Sequence, residues 1–76
     1  MNVTLEKSTV EDLIRYKLRR IQKLIQRILH RWNENTIDSF VEKARNGTYS
    51  EAENDAIDLE NLVAEEQKLK DLLQNL

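Results

Sequence analysis

Ile14, Leu18, Ile21, Ile25, Ile28 and Trp32 follow one another at intervals of four, three, four, three and four residues. Positions three and four apart lie side by side on an α-helix, so this spacing puts all six on one face. Leu13, Leu24 and Leu29 widen the seam to a broad apolar stripe. The spacing predicts a helix over about 9–33, roughly 37 Å long at 1.5 Å per residue. Ser8-Thr9-Val10-Glu11 reads as its capping box, and Glu11 and Asp12 sit where the helix dipole favours negative charge. Asn33-Glu34-Asn35 ends the run.

A short second helix is expected over 36–46, capped by Asn35 or Thr36. Ile37, Phe40, Val41 and Ala44 give it one apolar face at i, i+3, i+4 and i+7. Lys43 and Arg45 suit its C-terminal end, and Asn46-Gly47 is a left-handed stop. Thr48-Tyr49-Ser50-Glu51-Ala52-Glu53 then offers two overlapping capping boxes, Thr48 with Glu51 and Ser50 with Glu53. One of them starts a third helix over about 50–75. It carries Ala52, Ala56, Leu59, Leu62, Val63, Leu69, Leu72 and Leu73, and its stripe thins between Val63 and Leu69.

The chain has no Pro and a single Gly, and no stretch alternates like a strand. The fold class is therefore all-α: one helical domain over 1–76, with two long antiparallel helices and a short helix between them. Ile21, Leu24, Ile25, Ile28, Phe40, Leu59, Leu62 and Val63 are the expected core. Seventy-six residues stand near the lower limit for unaided folding, where a core supplies about 3–5 kcal/mol. Without Cys and with one His, neither a disulfide framework nor a conventional zinc site can reinforce it. Oligomerisation or a partner subunit is the device that remains.

Residues 13–32 hold seven Lys or Arg and no acidic side chain, while Glu51 to Leu76 carry eight Asp or Glu against Lys68 and Lys70. Short connections make successive helices neighbours, so the first expectation is that the third helix balances the first. Each exposed pair contributes only ~0–1 kcal/mol, so such pairing sets orientation and register more than stability. A rival reading gives Arg20, Lys23, Arg27 and Arg31, at i, i+3, i+7 and i+11, to nucleic-acid phosphates. Against it stand a net charge of −2 and the lack of an interleaved aromatic platform. The same segment in isolation has the look of a membrane-surface or groove-binding helix, but an apolar face of this kind in a small helical protein is ordinarily core. Trp32 lies on the seam and is read as core or interface packing. Tyr16 lies off it, flanking a contact with its hydroxyl outward.

Catalysis has little to stand on. His30 falls on the polar side, and Ser8, Ser39 and Ser50 take capping or surface positions. Glu51, Asp55 and Asp58 form an acidic stripe at i, i+4 and i+7, a pattern more typical of a solvated face than of a divalent-cation site. No enzyme activity, cofactor or metal is expected. The N-terminus does not read as a secretory signal, and no apolar run nears the ~18 residues of a membrane span. An intracellular protein, cytoplasmic or nuclear, is expected, and the sequons at Asn2 and Asn46 are read as unused.

Leu13-Ile14-Arg15-Tyr16-Lys17-Leu18-Arg19-Arg20-Ile21-Gln22-Lys23 resembles the Y-L-R-x-R-L-x-K-I-x-K helix of GINS subunits, the replication-complex family. Thr48 to Glu53 is similar to the leucine-serine-x-glutamate-glutamate start of that family's next helix, and together the matches span about residues 9–75. The family's preceding helices and small β-rich domain have no counterpart in these residues. The resemblance implies a helical scaffold within a complex that links replicative helicase components.

The sequence thus points to a non-enzymatic protein–protein assembly module that acts as a homodimer or with a larger partner. Ile14, Leu18, Ile21, Ile25, Ile28 and Trp32 are its expected interface. The alternative is a nucleic-acid-binding regulator using Arg20, Lys23, Arg27 and Arg31.

Overall fold

The computed structural model describes residues 6–76, so the sequon at Asn2 lies outside the described residues. Three helices follow in order: α1 (Lys7–Arg31), α2 (Ile37–Arg45) and α3 (Glu53–Gln74), with no strand among the described residues. The long helices α1 and α3 pack against each other. Lys17 pairs with Glu65 at 3.0 Å and Arg31 with Asp55 at 2.9 Å, so numbering rises on one helix as it falls on the other. The pair is antiparallel, as expected.

The helix ends differ from their expected signals. Glu6, in extended conformation, caps α1 with no side-chain bond, and Val10 N–H reaches the Glu6 carbonyl at 3.1 Å. The Ser8–Glu11 capping box does not form, because nothing in Lys7 to Thr9 opposes helix and the chain winds past Ser8. Lys7 and Glu11 stand at i, i+4 instead, 4.0 Å apart. At the other end, Asn33 takes the left-handed conformation (φ 55°). Its N–H donates to the His30 carbonyl at 3.1 Å, and Glu34 N–H donates to the Leu29 carbonyl at 2.9 Å. These are the two bonds of a Schellman turn, which ends α1 at Arg31.

Thr36 caps α2, accepting from Ser39 N–H at 3.2 Å. Gly47 (φ 85°) follows the C-cap Asn46, the left-handed stop that Asn-Gly announced. Neither capping box forms ahead of α3. Thr48 turns back, its N–H and hydroxyl both donating to Asn46 Oδ1, and the N-cap position falls to Ala52. Ala52 is fully buried, so packing rather than a polar cap sets where α3 begins.

The core gathers Ile21, Ile25, Ile28 and Leu29 from α1, Phe40 from α2, and Ala52, Ala56, Leu59 and Leu69 from the α3 side. Leu24, Leu62 and Val63, expected among the most buried, are only partly covered, whereas Leu29, Ala52, Ala56 and Leu69 join the core. α2 packs on one flank of the α1–α3 pair and leaves the flank with Leu24 and Leu62 open, while Val63 lies beside Ile37 and Val41 in a shallow hollow on the α2 side. The molecule measures 52 × 21 × 18 Å, with a radius of gyration of 15.8 Å. A compact chain of this length has roughly 11 Å. α2 spans nine residues beside the far longer α1, so much of the rod is two helices thick.

Candidate functional site

The tightest corner of the molecule lies where α1 ends and α3 begins. The rings of Trp32, Phe40 and Tyr49 meet there with centroids 5.1 to 6.1 Å apart in tilted arrangements. The Schellman turn aims the Glu34 side chain into the same corner, where it is 6% exposed. Lys43 Nζ donates to one carboxylate oxygen at 2.7 Å and the Tyr49 hydroxyl donates to the same oxygen; Ser39 Oγ donates to the other at 2.9 Å. The Lys43 bond, then those from Tyr49 and Ser39, hold the Glu34 carboxyl at about 2, below its ordinary 4.5. The Lys43 ammonium is raised chiefly by the bond to Glu34, and the Tyr49 phenol by that bond and by burial. Asp55 completes the corner, accepting from Trp32 Nε1 at 2.7 Å and from Arg31 at 2.9 Å.

Every acceptor in this corner is matched to a donor, and among the described residues no buried side-chain nitrogen or oxygen lacks a partner. The corner is therefore a fastening between the three helices. Sequence reasoning passed over Glu34 as a helix terminator, and Tyr49 as part of a capping sequence. Their partners lie nine and fifteen residues away across turns, which periodicity does not register.

The expected interface residues separate into two groups. Ile21, Ile25 and Ile28 are at most 8% exposed within the chain's own core, so they cannot also meet a partner while the helices stay closed. Ile14, Leu18 and Trp32 are partly buried against that core. Among the described residues, the exposed large apolar side chains are instead Leu13 (58%), Tyr16 (64%), Ile57, Leu72 and Leu76. Leu13 and Tyr16 fall in the N-terminal half of α1, and Leu72 and Leu76 at the C-terminal end of α3. The antiparallel pairing sets these at the same end of the rod, away from the aromatic corner.

On the side away from α2, two hollows join along the α1–α3 seam. One is lined by Tyr16, Lys17, Arg20, Leu24 and Leu62, the other by Leu24, Arg27, Arg31, Asp58 and Leu62, and Glu65 borders both. No α2 residue lines either. The result is one continuous groove with an apolar floor, a basic bank on α1 and an acidic bank on α3.

The expected charge balance is realised in part. Lys17 and Arg31 pair with α3, and Arg45 of α2 pairs with Glu60 at 2.8 Å. Among the described residues, Arg15, Arg19, Arg20, Lys23 and Arg27 enter no ion pair. Of the stripe assigned to nucleic acid, Arg20, Lys23 and Arg27 thus project to solvent, while Arg31 is bound to Asp55. His30 is exposed. Asp55, the centre of the supposed acidic stripe, is already committed to Arg31 and Trp32. No helix among the described residues is long and apolar enough to cross a membrane.

Comparison with family models, with curated proteins and with solved structures finds no match for this chain.

Proposed function

We propose that this chain is a non-enzymatic helical assembly module, whose open α1–α3 surface is covered by a second copy or by a larger helical partner. The observation that supports this reading is the apolar surface left at the end of the rod that α2 does not reach. Leu13, Tyr16, Leu72 and Leu76 are all at least 42% exposed there. Covering such surface contributes ~25 cal/mol per Å², a substantial addition to a core worth only about 3–5 kcal/mol. In its finer form, resting on the resemblance to GINS subunits, the module serves a DNA replication complex inside the cell.

Sedimentation equilibrium at micromolar concentration tests the reading. A dimeric or higher mass is expected; a stable, well-folded species of monomer mass with no partner present counts against it.

A second reading makes the protein a nucleic-acid-binding regulator through the α1 stripe Arg20, Lys23, Arg27 and Arg31, of which the first three have no ion pair among the described residues and Arg31 is held by Asp55. Salt separates the two. Phosphate contacts weaken steeply and linearly in log affinity against log salt, whereas an apolar helix interface does not.

A further inference from the structure

The groove away from α2 carries both signs of charge in separate banks. Arg20 and Arg27 stand along α1, Asp58 and Glu65 along α3, with Leu24 and Leu62 between them; Glu65 also pairs with Lys17 of its own chain and would be shared with a partner. A polyanion laid in this groove meets the acidic bank, so the face is poorly suited to nucleic acid. A surface with parallel basic and acidic banks is complementary to its own copy turned about a two-fold axis.

The direction of that axis decides which banks meet. An axis perpendicular to the helices stacks α1 on the partner's α1, setting Arg20 and Arg27 against like charge. An axis parallel to the helices lays each α1 on the partner's α3, basic bank on acidic bank, with antiparallel neighbours all round a four-helix bundle. The pairs Lys17–Glu65 and Arg31–Asp55 fix the relative heights of the helices within one chain. Arg27, about one turn from Arg31, is therefore level with Asp58, about one turn from Asp55. With the axis parallel to the helices, Arg27 of one copy then faces the acidic position of the other at the same height, and the Leu24 and Leu62 positions of both copies meet between them.

The groove from Tyr16 to Arg31 is ~22 Å long and two helices, ~20 Å, wide. That is a flat footprint of roughly 450 Å², a small interface beside the ~800 Å² per partner of a standard one.

We infer that a second copy of this chain docks in this groove about a two-fold axis parallel to the helices, each α1 packing on the partner's α3 with Arg20 and Arg27 facing Asp58 and Glu65. This deepens the assembly reading and rests on it. The test uses two charge-reversed chains, R20E/R27E and D58K/E65K, measured singly and as an equimolar mixture by sedimentation equilibrium, with helical content followed by circular dichroism. In the first chain positions 20 and 27 become acidic like 58 and 65, and in the second all four positions are basic. Each alone is expected to associate at least ~10-fold more weakly than the wild type, by loss of opposite charge and gain of like charge. The mixture is expected to recover a dimer containing one of each. A mixture that stays monomeric, or single variants that dimerise like the wild type, overturns the arrangement.

The reversals also alter α1–α3 contacts within the chain. Tyr16→Glu, in the groove, and Leu13→Asn, about one turn beyond its end, therefore serve as a second pair, at side chains more than half exposed, where the fold has little to lose. Association weakened at unchanged helicity supports the groove, and an unchanged dissociation constant overturns it. A wild-type chain of monomer mass sinks both this inference and self-assembly, whereas a wild-type dimer indifferent to all four variants sinks the groove alone.

Discussion

Removing the charge from Glu34 separates what its carboxylate contributes from what the surrounding rings contribute. Because the folded protein holds this carboxyl at about 2, against 4.5 ordinarily, its stabilisation is complete above 4.5 and is lost as pH falls toward 2. Glu34→Gln is expected to melt several degrees below the wild type at neutral pH, with the gap closing between pH 4.5 and about 2. Melting followed by circular dichroism across that range checks it; a constant gap refutes the ionic origin. The alkaline limb has the opposite sign. Tyr49 is raised from 10.0 and Lys43 from 10.5, so their contribution is complete below those values and is lost as pH climbs through the raised ones. Tyr49→Phe keeps the ring beside Trp32 and Phe40 but removes one donor to Glu34. It is expected to be less stable at neutral pH and to lose less on going from pH 9 to pH 11. Parallel loss in both proteins over that interval contradicts the assignment.

The helix termini show which local signals the folded chain uses. Gly47 sits at φ 85° with nothing within 4 Å of an added Cβ. Gly47→Ala therefore costs backbone strain alone, about 1–2 kcal/mol, measurable by urea unfolding. Ser8→Ala, by contrast, removes a capping hydroxyl that the structure does not use, and is expected to stay within about ±0.5 kcal/mol. A large loss at Ser8 restores the capping box. The contrast marks how far the sequence could be read. Gly47 and the α2 cap act within three residues of themselves, and the seam of α1 depends on spacing alone, so the stop and the seam are legible and the cap is narrowed to Asn35 or Thr36. The start of α3 was not, since Thr48 and Ser50 offered equal hydroxyls and burial of Ala52 decided between neither. Nor could spacing tell Leu24 from Leu29, both flanking the seam. Which is covered depends on the side α2 takes, a tertiary fact. For the same reason the groove is not legible in the sequence, although its basic stripe and its apolar residues Leu24 and Leu62 are. Two banks on different helices become one surface only when the helices are aligned.

The whole molecule concentrates its stability at one end. Phe40 is fully buried between α2 and the long pair, and it is the largest such side chain. Phe40→Ala is expected to cost ~3–5 kcal/mol, as much as a core of this size supplies in all. The variant should lose most of its helical circular dichroism at 25 °C unless a partner supports it. A cooperative, wild-type-like melt would show that the stability lies elsewhere. The open end is built differently: the first turns of α1 and the last turns of α3 run beyond α2, and no aromatic fastening joins them. Opening there breaks fewer buried contacts, chiefly those of Leu69, than opening at the corner, where Leu29, Phe40, Ala52, Ala56 and Leu59 are buried. The 52 Å axis is thus also a scale of local opening free energies. Amide hydrogens near Val10 and Leu73 are expected to trade with solvent deuterium early, while those flanking Phe40 and Leu59 wait for the entire chain to unfold.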